Sequence, residues 1–350
     1  MNKRKLDALV VGLPHHVYYF GNLSRSWLHE GAMVLFSDGR SWAAAPNKVP
    51  ENLAVDEAVT FEAQWLATLR QEQPAVVAGM VVDVLGSRRA KRIGFDASVV
   101  TSQLALQAEL QCEAIDEHLW QQRRVKDADE IALLEKAVRC TEAMYRRARE
   151  IIAPGIDEIE VYTQLHAAAV KEAGEPLTAL LGNDFACGAG GGPPRAGRAA
   201  KPGELYVLDV GPAYRGYFAD NCRVFAVNRK PTDGQMRAWE AIVGCFPTVE
   251  AMAKPGVRCR DIYDAVYAHI AEKSGKRLPH HLGHGVGLQP HEYPHLNSRW
   301  DDVLMEGEYF TVEPGVYGPD LAGGIRIENN YLVTATGVRN LLDFPMQMTW

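Results

Sequence analysis

The stretch YVLDVGPAYRGYFADNCRVF, residues 206–225, sets two aspartates, Asp209 and Asp220, among residues that otherwise belong in a protein interior. They are eleven residues apart with Gly216 and Tyr217 between them as a turn, so two antiparallel strands joined there bring both carboxylates to one point. Three further strings have the same character: HHLGHGVGL (280–288) carries His284, YFTVEPGVY (309–317) carries Glu313, and GIRIEN (324–329) carries Glu328. Carboxylates almost never lie fully buried unless they are paired or bound to a metal. Four of them converging without a cation would repel one another by several kcal/mol at low dielectric. Four carboxylates and one imidazole therefore imply bound cations. Hard oxygen donors with one imidazole favour Mn, Co or Fe over the thiolate-rich surroundings of a structural zinc. Four carboxylates also carry about the negative charge that two divalent ions carry positive. Two metals bridged by carboxylates ~3.5–4 Å apart are a standard way to activate water and polarise a carbonyl.

Asp209, Asp220, His284, Glu313 and Glu328, in that order and within those strings, resemble the ligand set of the pita-bread metallopeptidase family of methionine aminopeptidases, Xaa-Pro aminopeptidases and prolidases. The family's D-x10-D pair, HGxG histidine, EPG glutamate and RxE glutamate are all present. The N-terminal third is similar to the smaller domain of prolidases and creatinases, and the prolidase and Xaa-Pro aminopeptidase branch is the nearest match. The resemblance implies a mixed α/β (α+β) fold. A small creatinase-like α/β domain is expected over residues 1–118, and a pita-bread catalytic domain with pseudo-two-fold duplication over residues 119–350. It implies two divalent metal ions, manganese first, with cobalt, iron or zinc as alternatives. By the same resemblance Glu328 bridges both ions, while Glu313 ligates and serves as general base. His291 and His280 match two further family histidines that act on the substrate side, whereas His281 and His295 read as bystanders. Arg326, two residues from Glu328, shares its face on a strand and is expected to pair with a ligand carboxylate and orient it. Relatives with this two-domain layout are commonly dimers, so a homodimer is expected.

Two positions depart from the family pattern. Gly192 stands seventeen residues before Asp209, where prolidases and aminopeptidases of this family carry a histidine. DNCRVF stands where the family prefers DITRT, so Cys222 and Val224 replace hydroxyls. The surrounding CGAGGGPPRAGR (187–198) lacks the GK[ST] ending and following helix of a phosphate loop. The ligand set is complete while the substrate side is altered. Arg195 is the candidate to take over the lost contact by pairing with a substrate carboxylate. The expected function is dinuclear-metal-dependent hydrolysis of the peptide bond preceding proline, in Xaa-Pro dipeptides or N-terminal Xaa-Pro peptides. The alternative is a non-peptidase hydrolase or lyase of the same fold acting on a small amide-like metabolite.

Composition sets the outer bounds. A chain of 350 residues, 47% apolar and 23% charged, reads as an ordinary globular protein long enough for two domains. Its net charge of −7 disfavours nucleic acid or an anionic membrane as partner, leaving a small peptide substrate. No run reaches the roughly 18 apolar residues of a membrane helix, and the start MNKRKLDALVVGLPHH has no small-residue cleavage site. The six cysteines form no C-x-x-C pair and read as reduced thiols, so the expected compartment is the cytoplasm.

Along the chain, LDALVVG, GAMVLFSDGRSWAAA and RIGFDASVV read as strands, the second folded as a hairpin at Ser37, Asp38 and Gly39. Residues 64–71 and 102–111 have helical spacing. His15, His16 and His29 read as structural or solvated, and the charged run 117–129 as the inter-domain connection. Asp127 and Glu130 open a helix that Pro154 and Gly155 stop, and Asp157 and Glu160 open another that ends at Gly174. Thr232 and Gln235 form a capping box for a third, with Pro247 as its kink or break, and a fourth runs from about 260 to 273.

Overall fold

In the first of two units, Met1–Gln122, short apolar runs bounded by turns become strands of a single sheet. The structure is a computed structural model that describes residues 1–23 and 28–350. Strand β1 (Ala8–Val11) leads into helix α1 (Pro14–Gly21), β2 (Ala32–Phe36), β3 (Ser41–Pro46) and β4 (Glu57–Phe61). A small hairpin follows, β5 (Gln64–Trp65) and β6 (Thr68–Leu69), then α2 (Gln73–Ser87), β7 (Arg92–Phe95), α3 (Val99–Leu104), β8 (Gln111–Ala114) and α4 (Asp116–Gln122). The sheet order is β4-β3-β2-β1-β7-β8, antiparallel at β1/β2 and β2/β3 and parallel elsewhere.

Three local expectations fail in this unit. Residues 64–71 are not helical: they form the β5–β6 hairpin, whose turn residues Leu66 and Ala67 both take positive φ. The helix begins only at Gln73, with a proline in its first turn. Strand β7 stops at Phe95 because Asp96 turns inward, where its carboxylate accepts from the N–H groups of Gly12 and Leu13 and faces His16 Nδ1 at 3.0 Å. Ser98 and Thr101 then cap α3, which ends at Leu104 instead of filling 102–111.

The second unit, Arg123–Trp350, starts on charges that are not solvated. Arg123 and Lys126 pair with buried Glu292, and Arg124 pairs with buried Glu308. Helix α5 (Ala128–Ile151) opens at the Asp127–Glu130 capping box and buries Leu134, Val138, Thr141, Tyr145 and Ala148 along one face. Helix α6 (Glu158–Ala173) is capped by Asp157 and closed by Gly174 at φ +76°. Four antiparallel strands follow: β9 (Ala179–Asp184), β10 (Leu205–Tyr214), β11 (Tyr217–Phe218) and β12 (Asn221–Ala226). The pattern then recurs with α7 (Asp233–Val243), α8 (Cys245–Met252) and α9 (Cys259–Ser274). The break foreseen at Pro247 comes at Gly244, which leaves the proline in the first turn of α8, where its missing N–H costs nothing. The strands β13 (Gly283–Gly285), β14 (Glu292–Leu296), β15 (Tyr309–Val312), β16 (Gly315–Gly318), β17 (Gly323–Arg326), β18 (Asn329–Val333) and β19 (Val338–Asn340) complete the unit. Five of them form a sheet in the order β14-β13-β15-β18-β19, and β16 pairs with β17.

Strand periodicity decides what the central strands present. On β10, Tyr206, Leu208 and Val210 enter the core beneath α5 and α6, while Leu205 and Val207 enter the core shared with α7 to α9 and the second sheet. Asp209 continues the second set, and so faces the second half of the unit. Strand β13 lies tight against its neighbours β14 and β15 in the same sheet: a Cβ on Gly285 would lie 1.8 Å from the carbonyl oxygen of Tyr293, and one on Gly283 would lie 2.0 Å from that of Thr311. Gly285→Ala is therefore expected to cost at least the ~1–3 kcal/mol of core overpacking, read as a lowered Tm or loss of soluble protein, because a backbone carbonyl cannot swing aside.

Candidate metal centre

Arg215 and Gly216, at φ +46° and +89°, turn β10 back on itself, and the register sets Asp209 opposite Cys222 with Asp220 beside it. What holds this corner is applied to the backbone. Tyr145 on α5 donates to the carbonyl of Asn221 at 2.6 Å, with that of Leu208 at 3.3 Å. Asn330 donates to the carbonyl of Asp220 at 2.7 Å. Glu328 arrives through an isolated bridge, its N–H donating to the Cys222 carbonyl at 3.0 Å. Arg223, fully buried, donates to the carbonyls of Glu328 (2.8 Å) and Phe344 (2.9 Å) and to Asn329 Oδ1 (2.8 Å). His284 sits mid-β13 between its two close-packed glycines, and Glu313 follows the end of β15.

These five side chains line one cavity of about 240 Å3, together with Asp184, His280, His281, His291 and Arg326. Two donor sets stand out: Asp209, Asp220 and Glu328 in one, His284, Glu313 and Glu328 in the other, each with ligand atoms within 4.8 Å of one another. A third set, Asp220, His284 and His291, overlaps both. The His291 ring stacks on that of His284, centroids 3.7 Å apart and 14° from parallel.

The chemistry of the donors calls for cations. His284 Nδ1 faces the carbonyl of Gly285 at 3.0 Å and so carries the hydrogen, which leaves Nε2 directed at Glu313 Oε1 (3.3 Å) and Asp220 Oδ2 (3.8 Å). A lone pair facing two carboxylates is tolerable only with a proton or a metal on it. Burial works against the charged imidazole, yet Glu313 and Asp220 raise its pKa to about 9. Burial likewise opposes ionisation of Glu313, and the hydrogen bond from His284 overrides it, bringing Glu313 down to about 2. For the other carboxylates burial wins, with their mutual repulsion added to it. Burial lifts Asp209 to about 6 even with Arg326 beside it. Burial and then Asp209 push Asp220 well up, and burial and then Asp220 do the same to Glu328. Glu328 Oε2 is buried with no hydrogen-bond partner. A cluster that must take up protons to remain folded together fits divalent cations, which would displace those protons and neutralise the carboxylates.

One wall of the cavity is a directed chain of hydrogen bonds. His280 Nδ1 donates to the carbonyl of His281 at 2.7 Å, so its Nε2 accepts from the Tyr317 hydroxyl at 2.9 Å, and that oxygen in turn accepts from Arg326 at 2.9 Å. Arg326 also donates to Asp209 Oδ2 at 2.7 Å and pairs with Asp184. The pairing expected of Arg326 is thus with Asp209. Arg195 is a correction: the structure does not bring it to the cavity, because its guanidinium is spent on the buried Glu158 carboxylate, at 2.6 and 3.0 Å, and on the Cys187 carbonyl at 2.7 Å. His281, read as a bystander, lines the cavity, whereas His295 is engaged with Asp302 at 2.9 Å away from it. Asp184 and Tyr317 escaped the sequence reading. Their only trace was the glycine stretch, since a Cβ on Gly191 would meet Asp184 Oδ1 at 2.7 Å and one on Gly190 would meet the Tyr317 ring at 2.8 Å.

Residues 132–335, more than half of the chain, match the model of metallopeptidase family M24. The chain belongs to that family. Residues 1–131 match the creatinase/prolidase N-terminal domain. Among curated M24 relatives, YkvY of Bacillus subtilis (strain 168) is 33% identical over 241 residues, 67% of this chain and 64% of the relative, so the chain spans less than two thirds of that protein. The uncharacterized peptidase YqhT of the same organism is 29% identical over 275 residues, 76% of this chain and 77% of its own. Among solved structures, the Xaa-Pro dipeptidase from Bacillus anthracis superposes with a TM-score of 0.84 at 23% identity, covering 99% of this chain and 96% of that one. The prolidase from Pyrococcus furiosus superposes with a TM-score of 0.79 at 24% identity, covering 99% and 98%. The fold is the pita-bread fold of those enzymes, and M24 is a family of metal-dependent peptidases. Among the described residues no helix is long and apolar enough to cross a membrane.

The raised carboxylates give a signed expectation for metal-free protein. A group whose folded pKa lies above its unfolded value contributes stability that is present at low pH and lost as pH rises through the folded value, here about 6 for Asp209. Asp220→Asn should therefore raise the Tm of metal-stripped protein at pH 8, by about 2–4 °C for each kcal/mol of repulsion removed. The same change should abolish the Tm gain that manganese gives the wild type. Thermal melts of both proteins, with and without metal, check it.

Proposed function

We propose that this chain is a dinuclear-metal-dependent peptidase that hydrolyses the peptide bond preceding proline, in Xaa-Pro dipeptides or at the start of Xaa-Pro peptides. The observation that carries the reading is the pair of donor triads sharing Glu328, which supports two ions rather than one, with manganese first in view of the hard oxygen donors. When bound, such ions supply activation of water at neutral pH and polarisation of the scissile carbonyl.

The remaining work belongs to the chain's own side chains. Glu313 is kept ionised beside His284 and within 3.3 Å of Thr311 Oγ1, which suits it to take a proton from water and return it to the leaving nitrogen. His291, which burial and then His284 pull down to about 4, is a neutral imidazole with one donor and one acceptor to offer the substrate. Both nitrogens of His280 are engaged, so its part is to fix Tyr317 and, through it, Arg326. Arg326 holds Asp209 in its ionised form and orientation.

A second reading rests on a specific observation. Gly192 offers no side chain and Arg195 is tied to Glu158, so neither supplies the substrate contact expected on this loop. That favours a hydrolase of the same fold acting on another small amide. Manganese-loaded protein should release proline from a panel of Xaa-Pro dipeptides and Xaa-Pro-Yaa tripeptides. Glu313→Ala should lower the rate by about 10²–10⁴-fold, as removal of a proton-transfer group does. No release from any member, with two metals bound per chain, would move the assignment to the second reading.

A further inference from the structure

His281 lies at the cavity wall in a fixed position. Its carbonyl accepts from His280 Nδ1 at 2.7 Å, and its ring packs edge-on against His280, His284 and His291, with centroids 5.8, 5.3 and 5.8 Å away. Its Nδ1 is buried and makes no hydrogen bond, yet it lies 3.4 Å from Glu313 Oε1. The side chain is 35% exposed, and this exposure falls on the rest of the ring. With Nδ1 protonated, a modest turn of the ring would aim its N–H at that oxygen. Oε1 of Glu313 is thus approached from three directions: by His281 Nδ1 at 3.4 Å, by Thr311 Oγ1 at 3.3 Å and by His284 Nε2 at 3.3 Å.

We propose that His281 is a positioning residue for Glu313: with Thr311 it holds Oε1 and so fixes the orientation of the carboxylate that exchanges the proton. The inference rests on Glu313 as the proton-transferring group of a metal-dependent hydrolase, and deepens that reading. At 3.4 Å the pair is within reach but poorly aligned, as catalytic hydrogen bonds of substrate-free enzymes commonly are, and it is expected to align when substrate fills the cavity.

Asparagine and glutamine separate the two ring nitrogens, because an Asn amide nitrogen falls near the place of Nδ1 and a Gln amide nitrogen near that of Nε2. His281→Ala should lower kcat about 10- to 100-fold, the usual loss when a group behind a metal ligand is removed, with KM changed by less than about threefold. His281→Asn should restore most of kcat and His281→Gln should not. In cobalt-loaded protein the visible absorption bands should shift in the Ala variant and return in the Asn variant, at an unchanged two equivalents of metal. The spectrum needs no substrate, so it remains a test of His281 even if no Xaa-Pro peptide is cleaved. An unchanged spectrum with unchanged kcat in His281→Ala would overturn the proposal. So would rescue by Gln instead of Asn, or loss of a metal equivalent in the Ala variant.

Discussion

Like charges that must share one small volume govern this structure. Asp209, Asp220, Glu313 and Glu328 have no attraction for one another, and burial makes their repulsion worse. The side chains therefore cannot assemble themselves, and the chain around them has to do it. Tyr145, Arg223 and Asn330 each act on backbone carbonyls at or next to a carboxylate-bearing residue and leave the carboxylate oxygens free. Arg326 and Thr311 act on the carboxylates themselves, the first on Asp209 and the second on Glu313. The arrangement spends conformational freedom outside the cavity so that the oxygens within it stay available to cations.

Close approach is the second requirement, and it explains where the glycines fall. Gly283 and Gly285 let the strand bearing His284 slide against the carbonyls of Thr311 and Tyr293. Gly190 and Gly191 let the loop after β9 lie against Tyr317 and Asp184. Gly192 holds φ +119°, a backbone conformation that L side chains rarely adopt, and its N–H is donated to Asp184. A Cβ at 192 would meet only Ala186, at 3.8 Å, so a histidine there is disfavoured by the strained φ and not by lack of space.

How much of this was legible beforehand varies with the kind of signal. The four capped or glycine-closed helices of the second unit and the turn between Asp209 and Asp220 were readable because capping boxes and turn glycines are local chemistry. Of the side chains that meet in the cavity, Asp209, Asp220, Glu313 and Glu328 were readable because a carboxylate in an apolar string has few explanations. The hairpin at 64–71 was not, since alanine and leucine at positive φ leave no trace in composition. The surroundings of His281 and Arg195 were not legible for a related reason: a residue type and its spacing do not tell which neighbour its side chain finds. Arg195 found the buried Glu158 across 37 residues of sequence, and nothing in either string announces the pair.

Charge balance limits what the cavity can select. Were the two proposed divalent cations bound, they would offset the carboxylates of Asp209, Asp220, Glu313 and Glu328, while Asp184 offsets Arg326. The cavity would then carry little net charge, so the overall charge of a substrate would contribute little to its selection. Arg326 is already shared among Asp184, Asp209 and Tyr317, so it is not poised to grasp a substrate carboxylate. Discrimination must come from shape and from the hydrogen bonds of neutral groups, above all His291, whose ring is held flat against His284. A change at the imidazoles should therefore alter substrate preference more than a change at any exposed charge.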